Sequence, residues 1–289
     1  MKRVTKFVVG MLLLLGVQAV VAQEGNAPPK VLGVIREYIK PGKGGMAHDR
    51  SESAFVQAFS HAKWPTHYLA VDSLSGKPRS LFFVGYDSFE AWEKDVNGQQ
   101  KNPALAAAID RATAADGELL SEVNMAAFVY NDEYSLNSSV DIAHMRYFEI
   151  SLVHTRQGHQ KEWDEAVKMV VAAYAKALPD THWAAYASVY GQPDGTYVFF
   201  TPMKSMVEID RNFMNNKKFV AAMGEDGMKK LDALSAASVE SSETNLFAFN
   251  PRMSYPSDEW VKADPDFWKP KASDGMTKKA AEKPAAKTP

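Results

Sequence analysis

Short stretches in which apolar and polar residues alternate recur along the chain and predict β-strands. The first, Val31–Ile39, reads V-L-G-V-I-R-E-Y-I and is stopped by Pro41 and Gly42. Alternation with a period of two places successive side chains on opposite faces of a strand. Further strands are expected around Gly- and Pro-containing turns and at the end of each half of the chain, at residues 66–74, 80–86, 122–130, 181–190, 197–201 and 244–249.

Apolar residues spaced three and four positions apart predict helices between these strands. Met46–Ala62 carries Phe55, Ala58, Phe59 and Ala62 on one face. In the second half of the chain a cleaner stripe contains Trp163, Ala166, Val167, Val170, Val171, Tyr174 and Leu178. Helices are also expected to begin at Asp87-Ser88 and at Lys204-Ser205, each followed by a further helical stretch, at residues 103–120 and 217–237.

The same elements occur twice in the same order. The strand T-H-Y-L-A-V at residues 66–71 is matched about 115 residues later by T-H-W-A-A-Y at residues 181–186. E-V-N-M-A-A-F at residues 122–128 is likewise matched by E-T-N-L-F-A-F at residues 243–249. We therefore expect an internal duplication of a βαββαβ ferredoxin-like unit, with repeats at residues 31–138 and 139–250. One such unit leaves a bare sheet face, which two units can bury by facing each other.

This order of elements resembles the dimeric α+β barrel superfamily, which includes antibiotic-biosynthesis-monooxygenase-like and NIPSNAP-like proteins. The resemblance covers about residues 31–251 and includes Pro41-Gly42-Lys43 and the S-F-E-A-W stretch at residues 88–92. It implies an α+β fold in which two ferredoxin-like units form a fused barrel. The superfamily contains enzymes, ligand binders and proteins without known chemistry, so it implies no single activity.

The N-terminal residues have the composition of a secretory signal peptide. Lys2, Arg3 and Lys6 precede an uncharged apolar run, and small residues follow at Val20 and Ala22. We expect cleavage after Ala22, a linker at residues 23–30, a periplasmic or secreted protein, and no membrane span after cleavage. The alternative is a membrane anchor, for which the apolar run is short.

The chain contains no cysteine and has a formal net charge of −2. The first fact excludes disulfides, thiol chemistry and cysteine-ligated zinc, and the second gives no general attraction to nucleic acid. Residues 251–270 combine four prolines with aromatic residues, which predicts an ordered extension across the barrel. Residues 271–289 are rich in Lys, Ala and Pro and are expected to be disordered. This basic tail is either simply solvated or makes a weak contact with an anionic envelope surface.

Four residues are candidates for catalysis. His67 and His182 occupy the same position in the two repeated strands, where each could serve as a general base or could satisfy a structural hydrogen bond. Glu37 and Glu149 lie on first strands, where a carboxylate does not improve packing. They are candidates for a polar cluster in the barrel, and the alternative is an ion pair with Arg36, Arg146 or Arg156.

Further residues are candidates for ligand binding, because each sits on a strand and carries an aromatic or polar group. They are Tyr68, Trp183, Asn124, Asn245, Arg36 and His154. No dinucleotide, P-loop, H-E-x-x-H or nucleophile-elbow motif is present, so we expect no metal ligand set and no cofactor.

The favoured interpretation is that a small organic or hydrophobic molecule binds in the barrel, with oxygenase or isomerase chemistry that needs no cofactor. The alternative is a packed scaffold that contacts an envelope partner. Haem binding occurs in the superfamily, but no histidine here is distinguished as an axial ligand.

Overall fold

Eight antiparallel strands close into one barrel with helices on its outside, in a computed structural model that describes residues 27–269. The strands are β1 Val31–Ile39, β2 Tyr68–Ser73, β3 Arg79–Tyr86, β4 Leu120–Leu136, β5 Tyr147–Thr155, β6 Trp183–Tyr190, β7 Thr196–Met203 and β8 Val239–Phe249. The helices are α1 Met46–Ala62, α2 Phe89–Gln100, α3 Pro103–Gly117, α4 Gln160–Ala177, α5 Val207–Ser238, α6 Asp258–Ala263 and α7 Pro265–Trp268, with a 3-10 turn at Ile142–His144.

The two halves of the barrel have the same strand order. The first half forms a sheet ordered β4-β1-β3-β2, and the second forms a sheet ordered β8-β5-β7-β6. Strand β2 pairs with β8, and β4 pairs with β6, so both edges of each sheet are used. The protein is therefore an α+β barrel of the kind that the resemblance implied, closed by pairing between the two sheets.

Apolar side chains fill the middle of the barrel. Even-numbered residues of β1, such as Leu32 and Val34, point inward, as the alternating pattern predicts. At the centre, the rings of Phe83, Phe148 and Phe200 contact one another, with centroids 5.3 to 6.0 Å apart. This aromatic layer leaves open space at the ends of the barrel rather than in its middle.

The helices cover the outer faces of the two sheets, but they pack tightly on the second sheet and loosely on the first. In the second half, Trp163 and Val167 of α4 pack on Val153 and Tyr197 and form a small core of their own. In the first half, α1, α2 and α3 stand over the sheet with a large cavity beneath them. The space between helices and sheet is thus filled by side chains in the second half and open in the first.

Several boundaries differ from those expected, among them the start of β8, which begins at Val239 and not at residue 244. Strand β4 continues to Leu136, where its later residues pair with β6. The two helices expected in the second half are both present within α5, but they meet at Gly224, where the backbone leaves the helical conformation with φ of 70°, and not near residue 217. A positive φ is readily adopted only by glycine, so the chain turns there without strain on a side chain.

The extension expected at residues 251–270 lies across one end of the barrel over its described part. Tyr255 pairs with Tyr68 through two backbone hydrogen bonds of 3.0 Å. Trp268 is 3% exposed, packs on Phe249 and donates from Nε1 to the carbonyl oxygen of Ala143 at 2.9 Å. The predicted signal peptide, the first half of the linker and the basic tail lie outside the described residues. Within those residues, no helix combines the length and the apolar character needed to cross a membrane.

Trp268→Ala should destabilise the protein by about 3–5 kcal/mol, because it removes a large buried side chain and leaves a cavity at the barrel end. Chemical denaturation of the purified protein measures this free energy of unfolding. Phe213→Ala is the control, since Phe213 is 77% exposed and should change stability little. Equal stability of the Trp268 variant and the wild type would show that packing of the extension on the barrel end does not stabilise the fold.

Candidate functional site

A cavity of about 580 Å³ lies between the first sheet and helices α1, α2 and α3. We call it the helix-face cavity. Its walls are mainly apolar and include Ile35, Phe55, Phe59, Phe82, Val84 and Trp92. Both the volume and the lining are in the range of sites that hold small organic molecules.

Four ionisable side chains meet beside this cavity, three of which line it, and we call them the acid cluster. Glu37 lies on the outward face of β1, His48 and Glu52 lie one turn apart on α1, and Asp116 lies in the last turn of α3. One ligand-type atom from each lies within 4.8 Å of the others. Helix spacing explains His48 and Glu52, because residues four apart share a face.

Hydrogen bonds join His48 to both the cluster and the sheet. Its Nε2 lies 3.2 Å from Oε2 of Glu37 and 3.6 Å from Oδ1 of Asp116. Its Nδ1 lies 3.4 Å from Oγ of Ser80, which in turn donates to Oδ1 of Asp72. Because the Ser80 proton is used on Asp72, its oxygen accepts from Nδ1, and Nε2 is directed at the carboxylates.

Burial and mutual repulsion dominate the electrostatics of the acid cluster. His48, Glu52 and Asp116 are each at most 3% exposed. Burial raises the pKa of Glu37, and burial together with the charges of Glu37 and Asp116 raises the pKa of Glu52 to about 10. Burial alone would lower the pKa of His48, but the Glu37 hydrogen bond and the Asp116 charge outweigh it and raise that pKa.

Tyr68 places a second polar group in the cavity wall. Its hydroxyl oxygen is buried and has no hydrogen-bond partner among the described residues. Burial raises the pKa of Tyr68 well above its ordinary value, so the hydroxyl keeps its proton and can donate it to a ligand.

A second cavity, of about 590 Å³, lies at one mouth of the barrel, and we call it the mouth cavity. His67 and His182 both line it, together with the N-terminal residues 27–29 and residues 256, 257, 259 and 260 of the extension. The two histidines predicted as a pair are thus brought to the same cavity, each directly before the first residue of its strand, β2 or β6.

The two histidines nevertheless have different surroundings. Nε2 of His182 donates to the carbonyl oxygen of Pro202 at 2.8 Å, and its Nδ1 lies 3.2 Å from the carbonyl oxygen of Asp180. The backbone therefore holds His182. His67 packs against Tyr255, with ring centroids 4.7 Å apart and ring planes tilted by 33°, and its buried Nδ1 has no partner among residues 27–269.

The glutamates predicted for a polar cluster in the barrel both point away from its interior. Glu37 faces the helices and pairs with His48, not with an arginine. Glu149 faces the helices of the second half, where no ion-pair partner for it lies within the described part of the chain. Alternation from Phe148 and Ile150, which point inward, requires this orientation.

The remaining ligand-binding predictions are dispersed. Arg36 and Asn245 lie at the opposite end of the barrel around a void of about 50 Å³. Nε1 of Trp183 donates to the carbonyl oxygen of Tyr134, Asn124 donates to Glu122, and His154 contacts Thr196. Tyr68 is the member of this set whose polar atom faces the helix-face cavity without a partner.

Sequence reasoning missed three of the four residues of the acid cluster. His48 and Glu52 stand four apart on a helix whose bounds were expected correctly, and that spacing was the available signal. No sequence spacing pointed to Asp116, because its side chain comes close to Glu37 only when α3 packs on α1. The absence of a metal motif therefore did not exclude a ligand set assembled from three separate elements.

No family model matches the chain, and no curated protein matches it. Solved structures with similar folds include a provisionally assigned monooxygenase from Fusobacterium nucleatum subsp. nucleatum, with 11% identity and a TM-score of 0.49 over 77% of this chain and 93% of that one. An anthrone oxidase-like protein has 13% identity and a TM-score of 0.49 over 79% and 94% of the two chains.

A mutant chlorite dismutase from Candidatus Nitrospira defluvii has 10% identity and a TM-score of 0.47 over 82% of this chain and 96% of that one. TM-scores below 0.5 support no argument about activity. The assignment of an α+β barrel therefore stands on the strand order of the chain itself.

Tyr68→Phe should raise the free energy of unfolding by about 1 kcal/mol, because it removes a buried hydroxyl that lacks a partner. Tyr255→Phe is a matched control, since its hydroxyl donates to the carbonyl oxygen of Trp64 at 2.9 Å. The control should lose about 1 kcal/mol. Denaturation of both variants without added ligand measures the difference, and a less stable Tyr68 variant would show that its hydroxyl has a structural partner.

Glu149→Gln should stabilise the protein at pH 7.5 but not at pH 4. Burial raises the pKa of Glu149, so the folded state prefers its protonated form. Stability is therefore lost as the pH rises from the ordinary pKa of a glutamic acid through the raised pKa of Glu149. Glutamine carries no charge at any of these pH values, so the variant does not lose this stability. Thermal denaturation should show a Tm increase of up to about 2 °C at pH 7.5. The exposed Glu240→Gln is the control, and an equal Tm change at both pH values would contradict the assignment.

Proposed function

We propose that the protein binds a small, mainly apolar organic molecule in the helix-face cavity, with the polar end of that molecule at Tyr68 and the acid cluster. One observation carries the proposal: an apolar cavity of about 580 Å³ ends on buried polar atoms that lack partners. Such atoms cost stability when unpaired, so a ligand that pairs with them gains affinity.

The comparison of the two halves supports a binding role for this cavity. Val153 on β5 occupies the sheet position that corresponds to Glu37 on β1. Val153 lies between Tyr197 and Ser242, and Glu37 lies between Ser80 and Val123. Around Val153 the space is filled by Trp163 and Val167. Filling is therefore compatible with the fold, and the open polar site is a particular feature of the first half.

The reaction classes that suit the cavity are the two expected from the superfamily resemblance. Isomerisation needs a group that removes a proton from one position of the ligand and returns it at another. Oxygenase chemistry without a cofactor needs a pocket that excludes water from a reactive ligand and oxygen. Carboxyl and imidazole groups beside a buried hydroxyl supply the acid and base for either class.

The cellular setting of this proposal comes from the sequence. We propose an exported, internally duplicated barrel protein whose leader is removed after Ala22 and whose basic tail contacts anionic envelope surfaces weakly. The basic first residues, the following apolar run and the lysine-rich last residues support this setting. The equal strand order of the two halves supports the duplication.

Binding can be tested with N-phenyl-1-naphthylamine, a neutral probe whose fluorescence increases in apolar sites. The wild type should bind about one equivalent in the helix-face cavity. Val84→Trp places an indole in that cavity and should lower the affinity at least about tenfold, because the probe and the indole compete for one volume. A fluorescence titration of each protein measures this change.

Ala184→Trp is the matched control, since it introduces the same side chain into the mouth cavity. It should leave the affinity of the probe unchanged, and circular dichroism should show both variants folded. Loss of binding in the Ala184 variant alone would move the site to the mouth cavity. Absence of probe binding by the wild type, with no small molecule released on denaturing it for mass spectrometry, would favour the scaffold role instead.

A further inference from the structure

We infer that the acid cluster of Glu37, His48, Glu52 and Asp116 is a binding site for one first-row divalent metal ion of the Mn²⁺, Fe²⁺ or Zn²⁺ kind. The site opens onto the helix-face cavity, because Glu37, Glu52 and Asp116 also line that cavity. A metal ion held there would meet a bound organic ligand directly. Metal binding itself does not depend on the proposed function.

The charge balance of the acid cluster is the first argument. Three carboxyl groups and one imidazole are packed together, and the ion pairs of Glu37 and Asp116 within residues 27–269 are both with His48. Buried carboxylates at this spacing repel each other strongly unless protons or a cation neutralise them. A divalent cation neutralises two of these charges at once.

Unpaired oxygens provide a second and independent argument. Oε1 of Glu52 is buried and has no hydrogen-bond partner among the described residues, whereas Oδ1 of Asp116, also without a hydrogen bond there, has the 3.6 Å ion pair with Nε2 of His48. Asp95, another buried carboxylate beside the same cavity, is fully satisfied instead. It accepts hydrogen bonds from Trp64, Thr66, Tyr86 and Gln99 at 2.6 to 3.0 Å. Asp95 therefore has the full set of hydrogen bonds expected of a structural carboxylate, whereas Glu52 and Asp116 do not.

The surroundings of His48 are those of a metal ligand. Its Nδ1 is directed at Ser80, which is held by Asp72, and this arrangement fixes the ring and leaves the Nε2 lone pair toward the carboxylates. A ligating histidine usually donates its other ring nitrogen proton to such a partner. Without a cation, that lone pair either faces the oxygens of Glu37 and Asp116 or must carry a proton.

The dimensions and donor types select the kind of metal. Atoms bound to one ion at about 2.1 Å can lie at most about 4.2 Å apart, and the four atoms here are within 4.8 Å. The longest separation must therefore contract by about 0.6 Å for ligands on opposite sides of the ion, and by about 1.4 Å for a tetrahedral site, whose ligand atoms lie roughly 3.4 Å apart. One imidazole with three carboxylates suits Mn²⁺, Fe²⁺ and Zn²⁺ better than Mg²⁺ or Ca²⁺, which prefer oxygen alone. Glu37, 12% exposed, gives the ion a path from solvent.

The inference is tested by metal affinity rather than by activity. The protein is dialysed against EDTA, then against buffer, and titrated separately with MnCl₂, ZnCl₂ and MgCl₂ by calorimetry. We expect one equivalent of Mn²⁺ or Zn²⁺ to bind and Mg²⁺ to bind more weakly. Glu52→Gln and Asp116→Asn preserve side-chain size and should each weaken binding at least about 100-fold, since loss of a direct ligand exceeds the 10–100-fold typical of its supporting groups.

Glu149→Gln is the matched control, because Glu149 is a partly buried carboxylate on the same outward face of the other half. It should bind metal like the wild type. Electron spin-echo spectroscopy of the Mn²⁺-loaded wild type should show one coordinated nitrogen, from His48, and needs no variant to fold. Absence of stoichiometric binding, wild-type affinity in Glu52→Gln, or absence of nitrogen coupling would each overturn the inference.

The same samples separate this inference from the proposed function. Protein that binds N-phenyl-1-naphthylamine but no metal would overturn the metal site alone, and protons would then neutralise the acid cluster. Protein that binds one metal ion but no probe would support the metal site and count against the organic ligand.

Discussion

The closure of the barrel depends on pairing between the two halves. Each four-stranded sheet has two edges, and an unpaired edge exposes backbone groups that require partners. The seam between β2 and β8 contains only three paired positions, from Val71 opposite Phe249 to Ser73 opposite Phe247. Two further sets of backbone hydrogen bonds lengthen this seam: Asn250, directly after β8, donates to Ala70, and Tyr255 of the extension pairs with Tyr68. The extension is therefore part of the closure, and the mouth cavity exists because it crosses the barrel end.

Closure gives the two halves one shared core and leaves their outer faces free to differ. The inner layer of Phe83, Phe148 and Phe200 draws on both sheets and holds them together. Outside, Trp163 fills the second half, whereas the first half keeps a cavity and the acid cluster. Buried charges and open space both lower stability, so their concentration in one half is the pattern expected where binding, rather than packing, determines the residues.

Much of the fold could be predicted because it depends on local pattern. Val31–Ile39 and Met46–Ala62 have the bounds that alternation and helical spacing indicated. Alternation also placed Glu37 and Arg36 on opposite faces, and they indeed lie on the outer and inner sides of the barrel. The pairing of His67 with His182 followed from the repeated strand, and both line one cavity. The hydrogen bond that holds Nε2 of His182 is accepted by the carbonyl oxygen of Pro202 on a neighbouring strand, which no spacing could reveal.

The sequence by itself determined the order of elements, the inward and outward faces of the strands, and the one-turn spacing of His48 and Glu52. Only the tertiary structure decided that Asp116 reaches Glu37 and that α1, α2 and α3 leave a cavity over the first sheet. It also decided that Glu149, on an equally outward position, has no such cluster around it within residues 27–269. The reason is physical: strand and helix periods act over a few residues, whereas the acid cluster requires three elements to pack together. That packing is set by side-chain volumes along the whole sheet, and here it differs between two halves of equal topology.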